Sequence, residues 1–213
     1  MAVYQIDKIL EDVRVSLDMN QNSDTLIGIN DEGTLSINEM IKSKITEAVK
    51  RVHITAPSHL LNFGDNFADS ITWNSNGKSG WTILPDDFMR LITFEMSDWE
   101  RPCFEAISTD DTKYKMVRSR FPVMGTPQKP IVAISVSPNG KILEFYSCKD
   151  DTATVNKAVY LPYPEIDEES GSVEISQRCY DSVIYTIAAL VLAALGENEK
   201  SAQFNELAKT NLI

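Results

Sequence analysis

Apolar residues recur at helical spacing near both ends of the chain and form strand-like runs between them. The segment Tyr4–Leu17 places them three and four residues apart and predicts an amphipathic helix. A second helix begins at Ser36, because Ser36 and Glu39 are spaced as a capping box in which each side chain binds the other residue's backbone N–H. Its apolar face continues to Ala56, and Pro57 ends it because proline lacks the N–H that a helix needs.

The segment Tyr180–Leu195 is nearly all apolar. A membrane-spanning helix needs roughly 20 apolar residues, and this run breaks at Gly196 after about 15. A helix that is apolar all round must be covered by protein on every side. We therefore predict a buried helix from about Ser176 to Leu195, followed by a last helix at about Asn198–Thr210.

Four alanines in the buried helix allow a neighbouring helix to approach closely; they are Ala188, Ala189, Ala193 and Ala194. A core within one chain and an interface between copies of the chain explain them equally well. In either case we expect Ala189→Asp to unfold the chain and not merely to weaken an interface.

The middle of the chain, from Leu61 to Pro164, has strand-forming composition. Asn76-Gly77 is a hairpin signal, and Phe88–Ser97 is rich in strand-forming residues. Two apolar runs flank Pro138-Asn139-Gly140, which predicts the clearest hairpin, because Asn and Gly tolerate the positive φ of such turns. Thr152–Leu161 predicts a further strand.

This order predicts an α+β fold. The N- and C-terminal helices form a helical bundle domain from residues 1–60 and 173–213. Residues 61–172 form an inserted antiparallel β-rich domain, either a sandwich or a small barrel, whose acidic end at 165–172 is an exposed linker.

Charge and composition narrow the class of function. The net charge is −11, which argues against a dedicated nucleic-acid binder, since affinity for phosphate depends on Lys and Arg. Cys103, Cys148 and Cys179 are widely spaced and odd in number, so we predict buried reduced thiols. The N-terminus has acidic residues among its apolar ones and does not resemble a signal peptide, which indicates assembly in a cytoplasm.

No residue cluster indicates catalysis, a metal or a cofactor. His53 and His59 lie on either side of Pro57 and cannot share a helix face as metal ligands. Asp86-Asp87 follows Pro85 in a pattern typical of a turn. The sequence lacks the glycine-rich phosphate-binding motifs and the GxSxG nucleophile motif. We therefore expect no catalytic residues, no metal site, no cofactor and no enzyme activity.

One basic cluster stands out in this acidic chain, and it comprises Lys113, Lys115, Arg118 and Arg120. On a strand, Lys113 and Lys115 share one face and the two arginines share another. A solvated edge strand protected by charge is one interpretation. The other is a contact with an acidic face of a neighbouring subunit or with a nucleic-acid backbone.

The layout resembles the head-to-tail adaptor (gateway or tail-tubular) proteins of tailed bacteriophages. The likeness rests on four stretches: the opening helix YQIDKILEDVRVSL, the capped helix LSINEMIKSKITEAVKRVHITAP, the strand passage WTILPDDFMRLITFEM, and the C-terminal YDSVIYTIAALVLAALGENEKSAQFNELAKTNL. The last contains an Ala-rich buried helix, a polar break, and a helix with spaced Ala202 and Phe204, as in that family.

The resemblance implies a non-enzymatic virion protein at the head-tail junction. Such a subunit forms a ring of about twelve copies, which needs two complementary faces on each subunit. The ring binds beneath the portal protein, closes the filled head and receives the tail or nozzle proteins, and double-stranded DNA passes through its lumen without sequence-specific binding. The resemblance implies no membrane partner. We expect the C-terminal tail Lys209–Ile213, which includes Asn211, Leu212 and Ile213, to be flexible and to become ordered against the portal.

The alternative is a β-rich binding module on a helical scaffold, which recognises a surface polymer or a protein ligand. Its mark would be an exposed aromatic patch on the β-rich region. Trp73, Trp81 and Trp99 are the candidates, although large aromatic residues usually pack in cores.

Overall fold

The structure is a computed structural model, and it describes residues 2–17, 36–61, 64–118, 125–138, 140–167 and 169–212. Within these ranges the chain is α+β, as predicted, with five α-helices, eleven strands and two short 3-10 helices, Ser58–Leu60 and Gln177–Cys179. The α-helices are α1 (Ile6–Ser16), α2 (Ile37–Thr55), α3 (Thr112–Arg118), α4 (Tyr180–Ala194) and α5 (Asn198–Thr210). The strands are β1 (Ala2–Gln5), β2 (Asp65–Asn66), β3 (Thr72–Trp73), β4 (Gly80–Ile83), β5 (Phe88–Met96), β6 (Ile107–Ser108), β7 (Val132–Ser137), β8 (Gly140–Phe145), β9 (Val155–Pro162), β10 (Ile166–Asp167) and β11 (Ser172–Ile175).

The chain divides into two compact units. The helical unit is Met1–Phe63 with Pro164–Ile213, and the β-rich unit is Gly64–Tyr163. The second boundary therefore lies at residue 163, whereas the sequence predicts that the insert ends at residue 172. The reason is that β10 and β11 form a three-stranded antiparallel sheet with β1, so most of the predicted linker belongs to the helical unit.

Helix α4 is the buried element of the helical unit. It contacts α1, α2 and α5, and its buried residues include Ala188 and Ala189. Two hydroxyls join it to α5: Ser201 Oγ donates to the Ala189 carbonyl at 2.8 Å, and Ser182 Oγ donates to the Ala208 carbonyl at 2.7 Å. These contacts cover most of α4 within one chain. Ala193 and Ala194 at its end are exposed.

The opening of the chain differs from the prediction. Residues Ala2–Gln5 are extended and pair with β11, and α1 begins at Ile6 and not at Tyr4. The Tyr4 ring stacks on that of Tyr180 with centroids 4.1 Å apart, and the Tyr180 hydroxyl donates to Asp12 Oδ2 at 2.6 Å. Pairing with a strand 170 residues away leaves no local signal in the sequence.

The predicted capping box at the start of α2 is confirmed. The Glu39 N–H donates to Ser36 Oγ at 3.3 Å, and the Ser36 N–H donates to Glu39 Oε2 at 2.8 Å. The Ser36 N–H and the Ser36 hydroxyl both donate to the Glu39 carboxyl, and these two hydrogen bonds hold its pKa below its usual value. We expect Ser36→Ala to lower the free energy of unfolding by about 1 kcal/mol, measured by urea denaturation, because one backbone donor loses its partner.

Ser43→Ala on the same helix is the matched control for this prediction. Ser43 is exposed, and its hydroxyl only donates back to the Met40 carbonyl at 2.7 Å. Alanine is the better helix former at such a position, so the control should be neutral or slightly stabilising. Equal losses in the two variants would contradict the capping role.

The β-rich unit contains two sheets that contribute to one core. One sheet has the order β2-β9-β5, and the other has the order β3-β4-β8-β7-β6. Phe94 on β5 and Phe145 on β8 are fully buried, and their rings stack with centroids 5.7 Å apart. The predicted hairpin formed by β7 and β8 is present, with Ser137 paired to Gly140. The prediction of an antiparallel region is wrong for one pair of strands, because β6 pairs with β7 in parallel.

Candidate functional site

A groove of about 960 Å³ lies on the face of the five-stranded sheet that is turned away from the Phe94–Phe145 core. Trp81, Glu144 and Ala133 are opposite one another on β4, β8 and β7, so their side chains lie on the same face of the sheet. Helix α3 covers part of this face through Tyr114 and Val117. The remainder is the groove floor, and the turn between β3 and β4 lines its other side.

Glu144 on the floor of the groove is a buried carboxylate, only 7% exposed. Ser135 Oγ donates to its Oε1 at 2.5 Å, and the Tyr114 hydroxyl donates to the same atom at 3.1 Å. The Tyr146 hydroxyl donates to Oε2. Because a buried charge is costly unless it is hydrogen-bonded, these hydroxyls stabilise the carboxylate and tie α3 to the sheet.

The turn between β3 and β4 is held by side-chain hydrogen bonds. Asn76 Oδ1 accepts from the backbone N–H of Lys78 at 3.0 Å and from that of Ser79 at 3.1 Å. Asn74 Nδ2 donates to Ser79 Oγ at 2.9 Å. Gly77 has a φ of 61°, the positive value that the predicted Asn-Gly hairpin requires.

The three tryptophans of the β-rich unit have different surroundings. Trp99 is 6% exposed and packs edge-on against Phe94, and Trp73 packs edge-on against Phe145 in the same core. Trp81 is half-buried, lines the groove, and makes no aromatic ring contact in the described part of the chain. Of the three candidates, only Trp81 therefore has the setting of a binding residue.

The basic cluster lies on a helix, not on the predicted strand. Lys113 and Lys115 belong to α3, where both are exposed, and the buried Tyr114 lies between them. Arg118 is the last residue of α3, and Arg120 lies outside the described residues. The prediction that Lys113 and Lys115 share one strand face is wrong, because Tyr114 and Val117 at helical spacing bind the segment to the sheet.

The C-terminal residues continue directly from α5. Lys209 and Thr210 are helical, which differs from the predicted flexible tail. Asn211 Nδ2 donates to the Leu207 carbonyl at 2.9 Å, and the Leu212 N–H donates to the Lys209 carbonyl at 3.0 Å. Ile213 lies outside the described residues.

The remaining candidate groups have structural surroundings. The three cysteines are buried and unbridged, as predicted, and burial raises the pKa of Cys103 to about 11 and that of Cys148 to about 12. Asp87 lies in the predicted turn and accepts a hydrogen bond from the Tyr160 hydroxyl at 2.9 Å. Within the described ranges, no group of three or more His, Cys, Asp or Glu side chains is arranged to hold a metal ion. The helices described there are all too short or too polar to cross a bilayer.

Glu144 and its hydroxyl partners are not among the residues that the sequence predicts to be functional. The available signal was one acidic residue inside the apolar run ILEFYSC on β8, since a charge in such a run must find partners when the strand is buried. The partners Tyr114 and Ser135 come from α3 and β7, and local spacing does not reveal them.

Comparison of the sequence with protein-family models gives no match, and comparison with curated proteins gives none either.

Proposed function

We propose that this protein is a ring-forming head-tail connector subunit of a tailed bacteriophage. It is a non-enzymatic virion protein without a cofactor, made in the host cytoplasm and located at the head-tail junction. About twelve copies form a closed ring beneath the portal protein, seal the DNA-filled head and receive the tail or nozzle proteins. The observation that carries the proposal is the chain order: helices from both ends of the sequence belong to one unit, and a β-rich unit is inserted between them.

The helical part supports this proposal through its packing. In the proposed subunit, α1, α2, α4 and α5 form a four-helix bundle, of which α4 is the buried member. The contacts of α4 with the other three helices are consistent with that arrangement. The resemblance of the terminal segments to the adaptor family extends over these same helices.

The distribution of charge supports a passage for DNA. Of the 31 acidic residues, 18 are in the helical unit and 13 in the β-rich unit, whereas the 20 basic residues divide as 9 and 11. Most of the excess negative charge is therefore carried by the helical unit. A surface of that sign repels the phosphate backbone, so that DNA moves past without sequence-specific adhesion.

Assembly with a portal protein tests the proposal. The full chain is mixed with a candidate portal protein and examined by native mass spectrometry and negative-stain imaging. Rings seated on the portal are the expected result, and the chain alone can remain monomeric until the portal templates it. A chain that stays monomeric and has no affinity for the portal would overturn the proposal.

The basic cluster and the C-terminal tail are the proposed contact segments, comprising Lys113, Lys115, Arg118 and Arg120, and Asn211, Leu212 and Ile213. We expect the double change Lys113→Glu and Lys115→Glu to weaken ring assembly, because both side chains are exposed and opposite charge repels an acidic neighbour. Lys200→Glu, also exposed, is the control for a general effect of charge reversal on ring assembly. Unchanged assembly in the double variant would show that the cluster is a solvated surface.

Deletion of residues 211–213 should weaken binding to the portal protein in the same assay. Full portal binding by the shortened chain would contradict this prediction.

A further inference from the structure

We propose that the groove beside Trp81 binds a neutral carbohydrate chain. The Trp81 ring packs against the apolar face of a sugar, and the side-chain amides of Asn74 and Asn76 bind its hydroxyls. This activity is separate from the connector role and does not depend on it.

The Trp81 side chain provides the apolar contact. It lines the groove and is half-buried, and no aromatic neighbour covers it in the described part of the chain. Ile83 follows two residues later on the same face of β4 and is 51% exposed. Ile83 lies beside the groove and not among the residues that line it, and it extends the apolar surface of Trp81 along β4. Sugar rings carry C–H groups on one face, and this face loses little by leaving water to pack on an indole.

The two amides provide an acceptor and a donor at the rim of the groove. Asn76 Oδ1 already accepts three hydrogen bonds from Lys78 and Ser79, so its Nδ2 remains to donate. Asn74 uses Nδ2 toward Ser79, so its Oδ1 remains to accept. The turn thus fixes both amides before a ligand arrives, which lowers the entropic cost of binding. Hydroxyl groups that both donate and accept match this pair.

The charges of the residues that line the groove favour a neutral ligand. No Lys or Arg is found among the described residues that line the groove, and the Glu144 carboxylate lies on its floor. A phosphate or sulfate group would find no lysine or arginine among those lining residues, and the Glu144 carboxylate would repel it. A wholly apolar ligand would leave Asn74 Oδ1 and Asn76 Nδ2 without partners, which also costs free energy. A polyhydroxylated, uncharged chain meets neither penalty.

The test is titration of the full chain with four neutral hexasaccharides: cellohexaose, maltohexaose, xylohexaose and chitohexaose. Binding is followed by tryptophan fluorescence and isothermal calorimetry up to about 10 mM. We expect saturable binding of at least one of them and none of inorganic polyphosphate. Trp81→Ala should weaken that binding about tenfold or more, because the main apolar contact is removed.

Two further variants and a control make the result specific. Trp81→Phe keeps a smaller ring and should give an intermediate affinity. Asn74→Ala changes an exposed residue and should weaken binding. Both variants test the proposal if Trp81→Ala does not fold. Phe104→Ala removes an exposed aromatic residue of the same unit that does not line the groove, and it should bind normally. The proposal is wrong if none of the four sugars binds, if Trp81→Ala and Asn74→Ala both bind as the unchanged chain does, or if Trp81→Ala alters self-association instead. Ring assembly on the portal is measured separately, so either proposal can fail alone.

Discussion

Ala189→Asp should leave the helical unit unfolded at room temperature. Ala189 is 1% exposed on the face of α4 that contacts α5, and its carbonyl accepts the Ser201 hydroxyl. An aspartate there would be a buried charge in a space that fits a methyl group, and we expect a loss of about 4 kcal/mol or more. Domains are stable by only about 5–15 kcal/mol, and the helical unit is a small one, so we expect a loss of this size to exceed its stability. Circular dichroism at 222 nm and urea denaturation measure it.

Ala193→Asp is the matched control on the same helix. Ala193 is exposed, four residues further along α4. We expect Ala193→Asp to lower the free energy of unfolding by only about 0.3–1 kcal/mol, because it places a negative charge near a helix C-terminus. If Ala189→Asp folds normally and only ring assembly is lost, then Ala189 belongs to an interface between copies, and the prediction is wrong.

The elements that the sequence predicted well are those determined by local chemistry. The start of α2 follows from its capping box, and its end follows from Pro57. The last helix coincides with α5, because the polar break at Gly196 that precedes it is visible in a short window. The hairpin of β7 and β8 was predictable because Gly140 takes the positive φ of its turn, here 115°.

The elements that were missed depend on distant partners. Strand β1 is four residues long and exists because β11 pairs with it, so Tyr4 was assigned to the following helix. The segment of helix α3 is predicted as a strand. Only the contact of Tyr114 and Val117 with Ala133 on the sheet shows that these two residues form one buried helix face. Strands β10 and β11 lie in an acidic stretch, where composition alone indicates a linker.

The groove also combines features that local sequence predicts with features that depend on distant partners. The sequence named Trp81 as a candidate for a binding surface, together with Trp73 and Trp99, and only packing separates the three. Glu144 was not named, because its significance comes from hydroxyls that α3 and β7 bring to it. A site made from four separate segments of chain can be predicted only once the sheet order is known.

The stability of the helical unit should fall as the pH is lowered from 7.5 to 5. His53 on α2 is 1% exposed, and burial lowers the pKa of its imidazole to about 4. The unfolded chain retains a histidine pKa of about 6.5, so it binds protons first, and acid favours unfolding. The linked loss is about 2 kcal/mol at pH 5 and about 3 kcal/mol at pH 4. Urea denaturation at a series of pH values above 5 measures it before most carboxylates titrate.

Two variants separate His53 from the other titrating groups. His53 Nε2 accepts the Ser176 backbone N–H at 3.4 Å, and the amide oxygen of His53→Gln can take over that acceptor role without titrating. This variant should lose most of the pH dependence between 7.5 and 5. The chain has two histidines, and the exposed His59 serves as the control, because His59→Gln should keep the full dependence. A pH profile that His53→Gln leaves unchanged would show that other groups carry the effect, and that protonation of this buried imidazole does not drive acid unfolding.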